Sequence, residues 1–164
     1  NKQRNSLDKN HNGKLDYVLV EGEEDHYDTI RRTKGFLENS KDLPLNTLGT
    51  LSASWNRQLA YKKFSQLDEN AIRNTEAVIC NNDDMALGVY DYYSQRHLPL
   101  PIILGINNSQ EMNEKIMSGE IYGTVDNNMD DQVYRIIRCM KSGLNGNPKK
   151  YKKVWYSQPF SVTK

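Results

Sequence analysis

The stretch Asp8-Lys9-Asn10-His11-Asn12-Gly13-Lys14-Leu15-Asp16 leads directly into the apolar run Tyr17-Val18-Leu19-Val20. Side chains that carry oxygen stand at the first, third, fifth and ninth positions of the stretch, and glycine stands at the sixth. This is the spacing of a calcium-binding loop, in which alternate residues turn their oxygen atoms inward and glycine permits a sharp turn. The residue at the seventh position, Lys14, would offer its backbone carbonyl.

An EF-hand would close such a loop with a bidentate glutamate at the twelfth position, but Leu19 stands there, inside the apolar run. The sequence is therefore not an EF-hand, and calcium binding would need a carboxylate from elsewhere in the chain. The alternative is a turn rich in Asn, Asp and Gly ahead of a strand. The loop residues alone leave both readings open.

The composition indicates one compact domain with a very polar surface. The chain has 164 residues, a net charge of +1 and 37% hydrophobic residues, with a mean hydropathy of -0.82. A net charge near zero gives no indication of a nucleic-acid-binding protein. The sequence leads us to expect neither a segment that crosses a bilayer nor a signal peptide within these residues. We therefore expect either a cytosolic protein or a chain whose start lies upstream.

Cys80 and Cys139 lie in apolar runs without metal-ligand spacing, which predicts buried free thiols.

Apolar patterning alternates between strand and helix along the chain. Strands are predicted at 15–20, 48–53, 76–80, 101–106, 121–125 and 153–156, and helices at 28–37, 57–67, 83–93, 110–117 and 130–141. Strict alternation of this kind is typical of βαβ units. The sequence therefore predicts an α/β fold, a doubly wound and mostly parallel sheet with helices on both faces.

In such sheets ligands bind beyond the carboxyl ends of the strands. The residues predicted at those ends are mainly amides and carboxylates with one aromatic: His26, Asp28, Arg32, Trp55, Asn81, Asn82, Asp83, Asn107, Asn108, Asp126, Asn127 and Asn128. They include no glycine-rich phosphate loop and no Ser/His/Asp arrangement. Planar amides and carboxylates can bridge adjacent hydroxyl groups, and an aromatic face can cover the C–H side of a sugar ring. The pattern favours a polyol-binding rim.

Each of these residues also has a structural explanation when it is taken alone. Asp28 and Arg32 are spaced for an ion pair on a helix surface. His26 and Asn82 stand where helices begin, and Trp55 could simply pack against the core. Their shared position at strand ends is what favours a binding site.

With these residues in view, the chain resembles the periplasmic galactose/glucose-binding proteins. The resemblance rests on the 8–16 loop before a strand, the segment 21–32, Trp55, the block Glu76-Ala77-Val78-Ile79-Cys80-Asn81-Asn82-Asp83-Asp84-Met85-Ala86, and Gly123-Thr124-Val125-Asp126-Asn127. It extends along nearly the whole chain. It implies a non-catalytic sugar receptor stabilised by one structural Ca²⁺.

The resemblance also implies roles for individual residues. The implied calcium ligands are Asp8, Asn10, Asn12, Lys14 through its carbonyl, Asp16 and the distant Glu76. The implied sugar-binding set is His26, Asp28, Arg32, Asn82 and Asn127, with Trp55 as the aromatic plate. Asn107 stands where the family has an aspartate, which predicts a weaker or different sugar preference.

The family folds into two lobes, and this chain resembles the second lobe alone. We expect residues 1–164 to form one sugar-binding lobe in which about 128–146 is a return segment that packs on the missing first lobe, or on a second copy of the chain. The implied ligand is D-galactose or D-glucose, and the implied partners are a membrane ABC permease and a chemoreceptor. The implied location is the periplasm or another extracytoplasmic site, including the cell surface as a lipoprotein.

Two further functions fit the predicted fold. One is the effector-binding domain of a transcription repressor, although a calcium loop counts against a cytosolic location. The other is a doubly wound enzyme in which Asp83 and Asp84 hold Mg²⁺ for phosphoryl chemistry. Because no Lys, Ser or Thr stands in the matching places, the sequence favours the receptor.

Overall fold

The computed structural model describes residues 7–146 and 156–164. Its strands are β1 (Leu15–Glu21), β2 (Leu45–Ser52), β3 (Ala77–Cys80), β4 (Ile102–Ile106), β5 (Gly123–Asp126) and β6 (Phe160–Thr163). Its helices are α1 (Tyr27–Ser40), α2 (Arg57–Phe64), α3 (Glu69–Asn74), α4 (Asp83–Gln95), α5 (Gln110–Ser118) and α6 (Met129–Leu144). No helix in these ranges is long and apolar enough to cross a membrane.

The strands form one sheet in the order β2-β1-β3-β4-β5-β6. Neighbours from β2 to β5 are parallel, and β6 is antiparallel to β5. The predicted α/β fold with a mostly parallel sheet is confirmed. The helix α3 was not predicted, and it begins where the Asp68 side chain caps its first turn. Of the predicted strand 153–156, residues 153–155 lie outside the described residues, and Tyr156 is not in a strand.

The strand β1 contributes to the hydrophobic core on both faces of the sheet. Val18 and Val20 pack into a cluster with residues of α2, α4 and α5. Tyr17 and Leu19 face the other way, where the Tyr17 ring meets the Phe36 ring of α1 at 5.3 Å between centroids. Full burial of a side chain such as Val18 or Val20 stabilises the fold by about 1.5–3 kcal/mol. Helices therefore cover both faces of the sheet at its centre.

The prediction of buried cysteines is right for Cys80 and wrong for Cys139. Cys80 lies in β3, and burial raises the pKa of its thiol far above the ordinary value. Cys139 lies on α6, where its apolar neighbours are themselves exposed within the described part of the chain. An apolar run on an amphipathic helix predicts burial only if another surface covers that helix.

No residue of α6 is buried within the described part of the chain, although the helix has a clear apolar stripe. Val133, Ile136, Ile137 and Met140 are 48%, 59%, 45% and 62% exposed. Soluble proteins rarely leave such a contiguous stripe in water, so a face of this kind marks a surface that another element covers.

Asp83, at the start of α4 directly after β3, links that segment to β5 and to the segment that follows β4. Its carboxylate accepts hydrogen bonds from the Thr124 hydroxyl of β5 at 2.6 Å and from the Ser109 backbone N–H at 2.7 Å. Gly105 leaves room for it, because a Cβ there would lie 2.3 Å from the Asp83 Oδ1. Burial raises the pKa of Asp83 despite these hydrogen bonds. A carboxylate committed in this way is structural, which argues against its use as a magnesium ligand.

We expect Asp83→Ala to lower the free energy of unfolding by roughly 2–4 kcal/mol, because the substitution leaves the buried Thr124 hydroxyl and the partly buried Ser109 N–H without their acceptor. Urea denaturation measures the change, and Asp84→Ala is the matched control because Asp84 is exposed on the same helix turn. The folded-state pKa is raised, so the stability that Asp83 contributes declines as pH rises through that pKa. The difference between wild type and Asp83→Ala should therefore shrink from low to neutral pH, and a difference that grows would contradict this account.

Candidate functional site

His26 begins the site because it ends the loop after β1 and caps α1. Its Nδ1 atom accepts a hydrogen bond from the Asp28 backbone N–H at 3.2 Å. The other ring nitrogen, Nε2, therefore carries the proton in neutral His26 and can donate to a ligand. His26 is an exposed residue.

Trp55 lies beside His26 at the end of the loop that follows β2. Its ring meets the His26 ring edge to face, with 5.3 Å between centroids. Both Ser54 and Trp55 have a positive φ, 47° and 63°, so the chain turns sharply and brings the indole back over the end of β1. Gly22 makes the close approach possible, because a Cβ at that position would lie 2.2 Å from the indole.

Arg32 connects α1 to the end of β3. Its Nη1 atom donates to the Asn81 carbonyl at 2.6 Å, and its Nη2 atom lies 3.7 Å from the Asp28 carboxylate. The guanidinium also lies 5.5 Å from the Trp55 ring centroid, in a cation–π contact. Asp28 and Arg32 therefore form the ion pair that their spacing suggested, and Arg32 also contacts the Trp55 ring.

Asn82 both caps a helix and contacts the aromatic residue. Its Oδ1 atom accepts from the Met85 backbone N–H at 2.9 Å, and its Nδ2 atom donates to the Trp55 carbonyl at 3.3 Å. The residue is 5% exposed. The amide nitrogen has a second hydrogen, which is the part of Asn82 left for a ligand.

Asn107 and Asn127 form a separate pair at the ends of β4 and β5. The Asn127 Nδ2 atom donates to the Asn107 Oδ1 atom at 2.8 Å. Asn107 has a φ of 136°, and Asn108 follows with 61°, so the chain leaves β4 through a strained turn. Backbone strain of this kind concentrates at functional sites.

The structure therefore brings most of the predicted sugar-binding residues into one connected group. His26, Asp28, Arg32, Trp55 and Asn82 are linked through the contacts above, and we call them the tryptophan cluster. The Asn107–Asn127 pair lies at the same edge of the sheet, after the neighbouring strands β4 and β5. Gly22, which makes room for the indole, was not singled out from the sequence, since its role depends on a residue more than thirty positions away.

At the opposite, amino-terminal ends of the parallel strands, the Glu76 side chain lies against the 8–16 loop. Its Oε1 atom accepts the backbone N–H groups of Lys9 and of Asn10, the latter at 3.2 Å. Its Oε2 atom accepts the Asp16 backbone N–H at 2.9 Å. The neighbouring parallel strands β1 and β3 bring these residues together, since Glu76 directly precedes β3.

The carboxylates of Asp8 and Asp16 accept hydrogen bonds from N–H groups within the loop. Asp8 accepts the backbone N–H groups of Asn12 and Gly13 at 3.0 and 2.8 Å. The Nδ2 atoms of Asn10 and Asn12 donate to the Asp16 Oδ2 atom at 2.7 and 2.9 Å. Within the described residues no three Asp, Glu, His or Cys side chains are gathered as a metal-binding group. The predicted calcium set differs from such a group because it also uses amide oxygens and a carbonyl.

Comparison with known proteins identifies the class to which this fold and site belong. Residues 2–148 match the model of the periplasmic binding protein domain, and the chain belongs to that family. It is 31% identical over 144 residues to the D-galactose/methyl-galactoside binding periplasmic protein MglB of Haemophilus influenzae, covering 86% of this chain and 43% of that protein.

Solved structures show the same fold. A periplasmic solute binding protein of an ABC transporter from Actinobacillus succinogenes, with bound D-allose, superposes with a TM-score of 0.85 at 19% identity, over 98% of this chain and 55% of that one. A solute binding protein from Bacillus halodurans, with bound myo-inositol, gives a TM-score of 0.77 at 22% identity, over 98% and 55%. The chain thus spans about half the length of these relatives.

We expect Gly22→Ala to push the Trp55 indole off the end of β1, because the new Cβ would collide with the ring. The free energy of unfolding should fall by about 1–3 kcal/mol. Fluorescence of Trp55, measured in a Trp155→Phe background, should shift to longer wavelength as the indole gains water. Gly35→Ala is the control, because a Cβ there meets nothing within 4 Å. That substitution should leave the spectrum unchanged and slightly stabilise α1. Equal spectra for the two variants would contradict the packing described.

Proposed function

We propose that the chain is a sugar-binding lobe of an extracytoplasmic solute receptor that takes D-galactose or D-glucose for an ABC importer and has no catalytic role. The tryptophan cluster carries the proposal, because it sets an aromatic face, a guanidinium and an imidazole donor at the carboxyl edge of a parallel sheet. Similarity to a D-galactose/methyl-galactoside binding protein supports the choice of hexose.

Each group in the cluster suits one part of a pyranose. The Trp55 face would cover the ring C–H groups, as aromatic residues do for apolar surfaces. Arg32 and His26 would donate to hydroxyl oxygens, and Asp28 would accept from hydroxyl groups in charge-assisted bonds. Asn82, Asn107 and Asn127 would each add amide donors or acceptors. The neutral Asn107–Asn127 pair would make this part of the site less acidic than a pair that contains aspartate.

We also propose that the 8–16 loop and Glu76 hold one Ca²⁺. The residues fit a hard cation in their chemistry, since Asp8, Asn10, Asn12, Asp16, Glu76 and the Lys14 carbonyl all offer oxygen. The contacts of Glu76 with the loop support its role as the carboxylate that Leu19 cannot supply. Bound calcium would neutralise the carboxylates of Asp8, Asp16 and Glu76 and would tie the loop to the sheet.

The α6 face indicates a second surface against which the lobe is built. The chain covers 43% of its curated relative and 55% of a solved one, so those proteins are about twice as long as the matched region. We propose that α6, within the return segment at 128–146, packs on a first lobe, and that without that lobe the chain associates with itself. A membrane permease and a chemoreceptor would then be partners of the two-lobed protein.

Calcium should raise the melting temperature of the chain. At a calcium concentration about 100 times the dissociation constant, linkage gives about 2.7 kcal/mol, or roughly 5–10 °C. We expect Glu76→Gln to abolish most of this shift, because the loop loses its bidentate carboxylate. Glu69→Gln is the control, since the Glu69 side chain is 87% exposed. Melting curves in EGTA and in calcium that coincide for wild type would rule out the site.

Galactose or glucose should bind weakly to this lobe, since one lobe contacts one side of the sugar. Backbone amide NMR titration should show dissociation constants in the millimolar range, about -4 kcal/mol, with shifts at the tryptophan cluster. Trp55→Ala should weaken binding at least tenfold, about 1.4 kcal/mol. Tyr27→Ala, which removes a neighbouring aromatic that is 70% exposed, should leave binding unchanged. Shifts spread over other faces of the sheet would contradict the proposed site.

A further inference from the structure

Asp16 is a buried anion whose carboxylate is held from two sides. The residue is 3% exposed. On the loop side, its Oδ2 atom accepts from the amides of Asn10 and Asn12. On the sheet side, its Oδ1 atom accepts from the Nδ2 atom of Asn46 at 2.6 Å. A buried carboxylate needs such donors, because desolvation without them costs several kcal/mol.

Asn46 belongs to β2, not to the 8–16 loop. The register pairs Asp16 directly with Asn46, just before the shift in pairing between Tyr17 and Val18. Asparagine is depleted in strands because it packs poorly on a pleated surface, so an asparagine here calls for a reason. Its short hydrogen bond to Asp16 supplies that reason.

We propose that Asn46 is a positioning residue for the cation site, an inference that rests on the proposed calcium binding. By holding the Asp16 Oδ1 atom, the Asn46 amide fixes the plane of the carboxylate and leaves its Oδ2 atom toward Asn10 and Asn12. Outer-shell partners of this kind orient ligands that would otherwise rotate, and removing them weakens metal binding.

The sheet-side bond is independent of what the loop side does. The side-chain amides of Asn10 and Asn12 turn their nitrogen atoms toward Asp16. To bind a cation, both amides would have to turn their oxygen atoms toward the cation. Asn46 has no such change to make, because it lies in a paired strand and donates to the other carboxylate oxygen. Its bond keeps Asp16 oriented in both states and links the site to β2 as well as to β1 and β3.

The test measures calcium binding to the folded chain by titration calorimetry, with melting in EGTA as the record of stability. Asn46→Leu keeps a similar shape and removes the donor, and it should weaken calcium binding roughly 10- to 100-fold. Thr50→Leu, which introduces leucine at an exposed position of the same strand β2, should stay within about twofold of wild type, since Thr50 is not among the proposed calcium ligands. Asn46→Ser, which retains a shorter donor, is the second variant should Asn46→Leu fail to fold, and it should weaken calcium binding in the same direction.

A purely structural Asn46 would lower the melting temperature in EGTA but leave the calcium affinity of the folded protein unchanged. That result, with normal calcium binding by wild type, overturns the role of Asn46 and leaves the calcium site intact. Absence of calcium binding by wild type overturns the site itself. A selective loss of calcium affinity in the Asn46 variants supports the inference.

Discussion

The carboxylate of Glu76 accepts backbone N–H groups from Lys9, Asn10 and Asp16, the last of them sixty residues earlier in the chain. These bonds fix the start of β1 to the start of β3, and the two strands are parallel neighbours inside the six-stranded sheet. A buried carboxylate that satisfies three donors is hard to replace, because its loss leaves each donor desolvated. The 8–16 loop is consequently part of the sheet's foundation as well as a candidate cation site.

The two candidate sites lie at opposite ends of the same strands. Glu76 and the 8–16 loop precede β3 and β1, whereas the tryptophan cluster and the Asn107–Asn127 pair follow strands of the same sheet. Seven residues of β1 span about 20 Å at roughly 3.3 Å per residue. The calcium ion proposed at one end would therefore stabilise the framework on which the other end is built, without touching the sugar. The role we propose for calcium is accordingly structural and separate from the proposed sugar recognition.

Much of the fold could be predicted because apolar periodicity reports local structure directly. The alternation of strands and helices followed from the runs around Val18, Val78 and Ile103, each buried in the sheet. Two elements were harder to predict from the sequence. The helix α3 is short and depends on its N-terminal cap. The strand β6 is an antiparallel edge strand whose residues are mostly exposed, so it lacks the apolar pattern of a core strand. Cys139 was misjudged because helix amphipathicity indicates a covered face but does not say what covers it.

The candidate site divides in the same way. Residue types at strand ends indicated His26, Trp55 and Asn82, since parallel topology gathers those ends. The role of Gly22 was hidden because it depends on the path of the Trp55 loop, which two residues with positive φ determine. Asn46 was hidden because its partner, Asp16, lies thirty positions away on the neighbouring strand β1. Contacts between distant residues depend on register. Apolar patterning shows which face of a strand is buried, but a slip by two residues keeps the same face buried, so the pattern alone does not identify the partner.

The most direct test is a crystal structure of the chain grown with calcium. The account predicts one ion with both Glu76 carboxylate oxygens and oxygen atoms of Asp8, Asn10, Asn12 and Asp16 at about 2.3–2.6 Å. It also predicts that the tryptophan cluster lies together at the far edge of the sheet. A structure at saturating calcium with no ion between Glu76 and the 8–16 loop, or with Glu76 turned away from that loop, would contradict it.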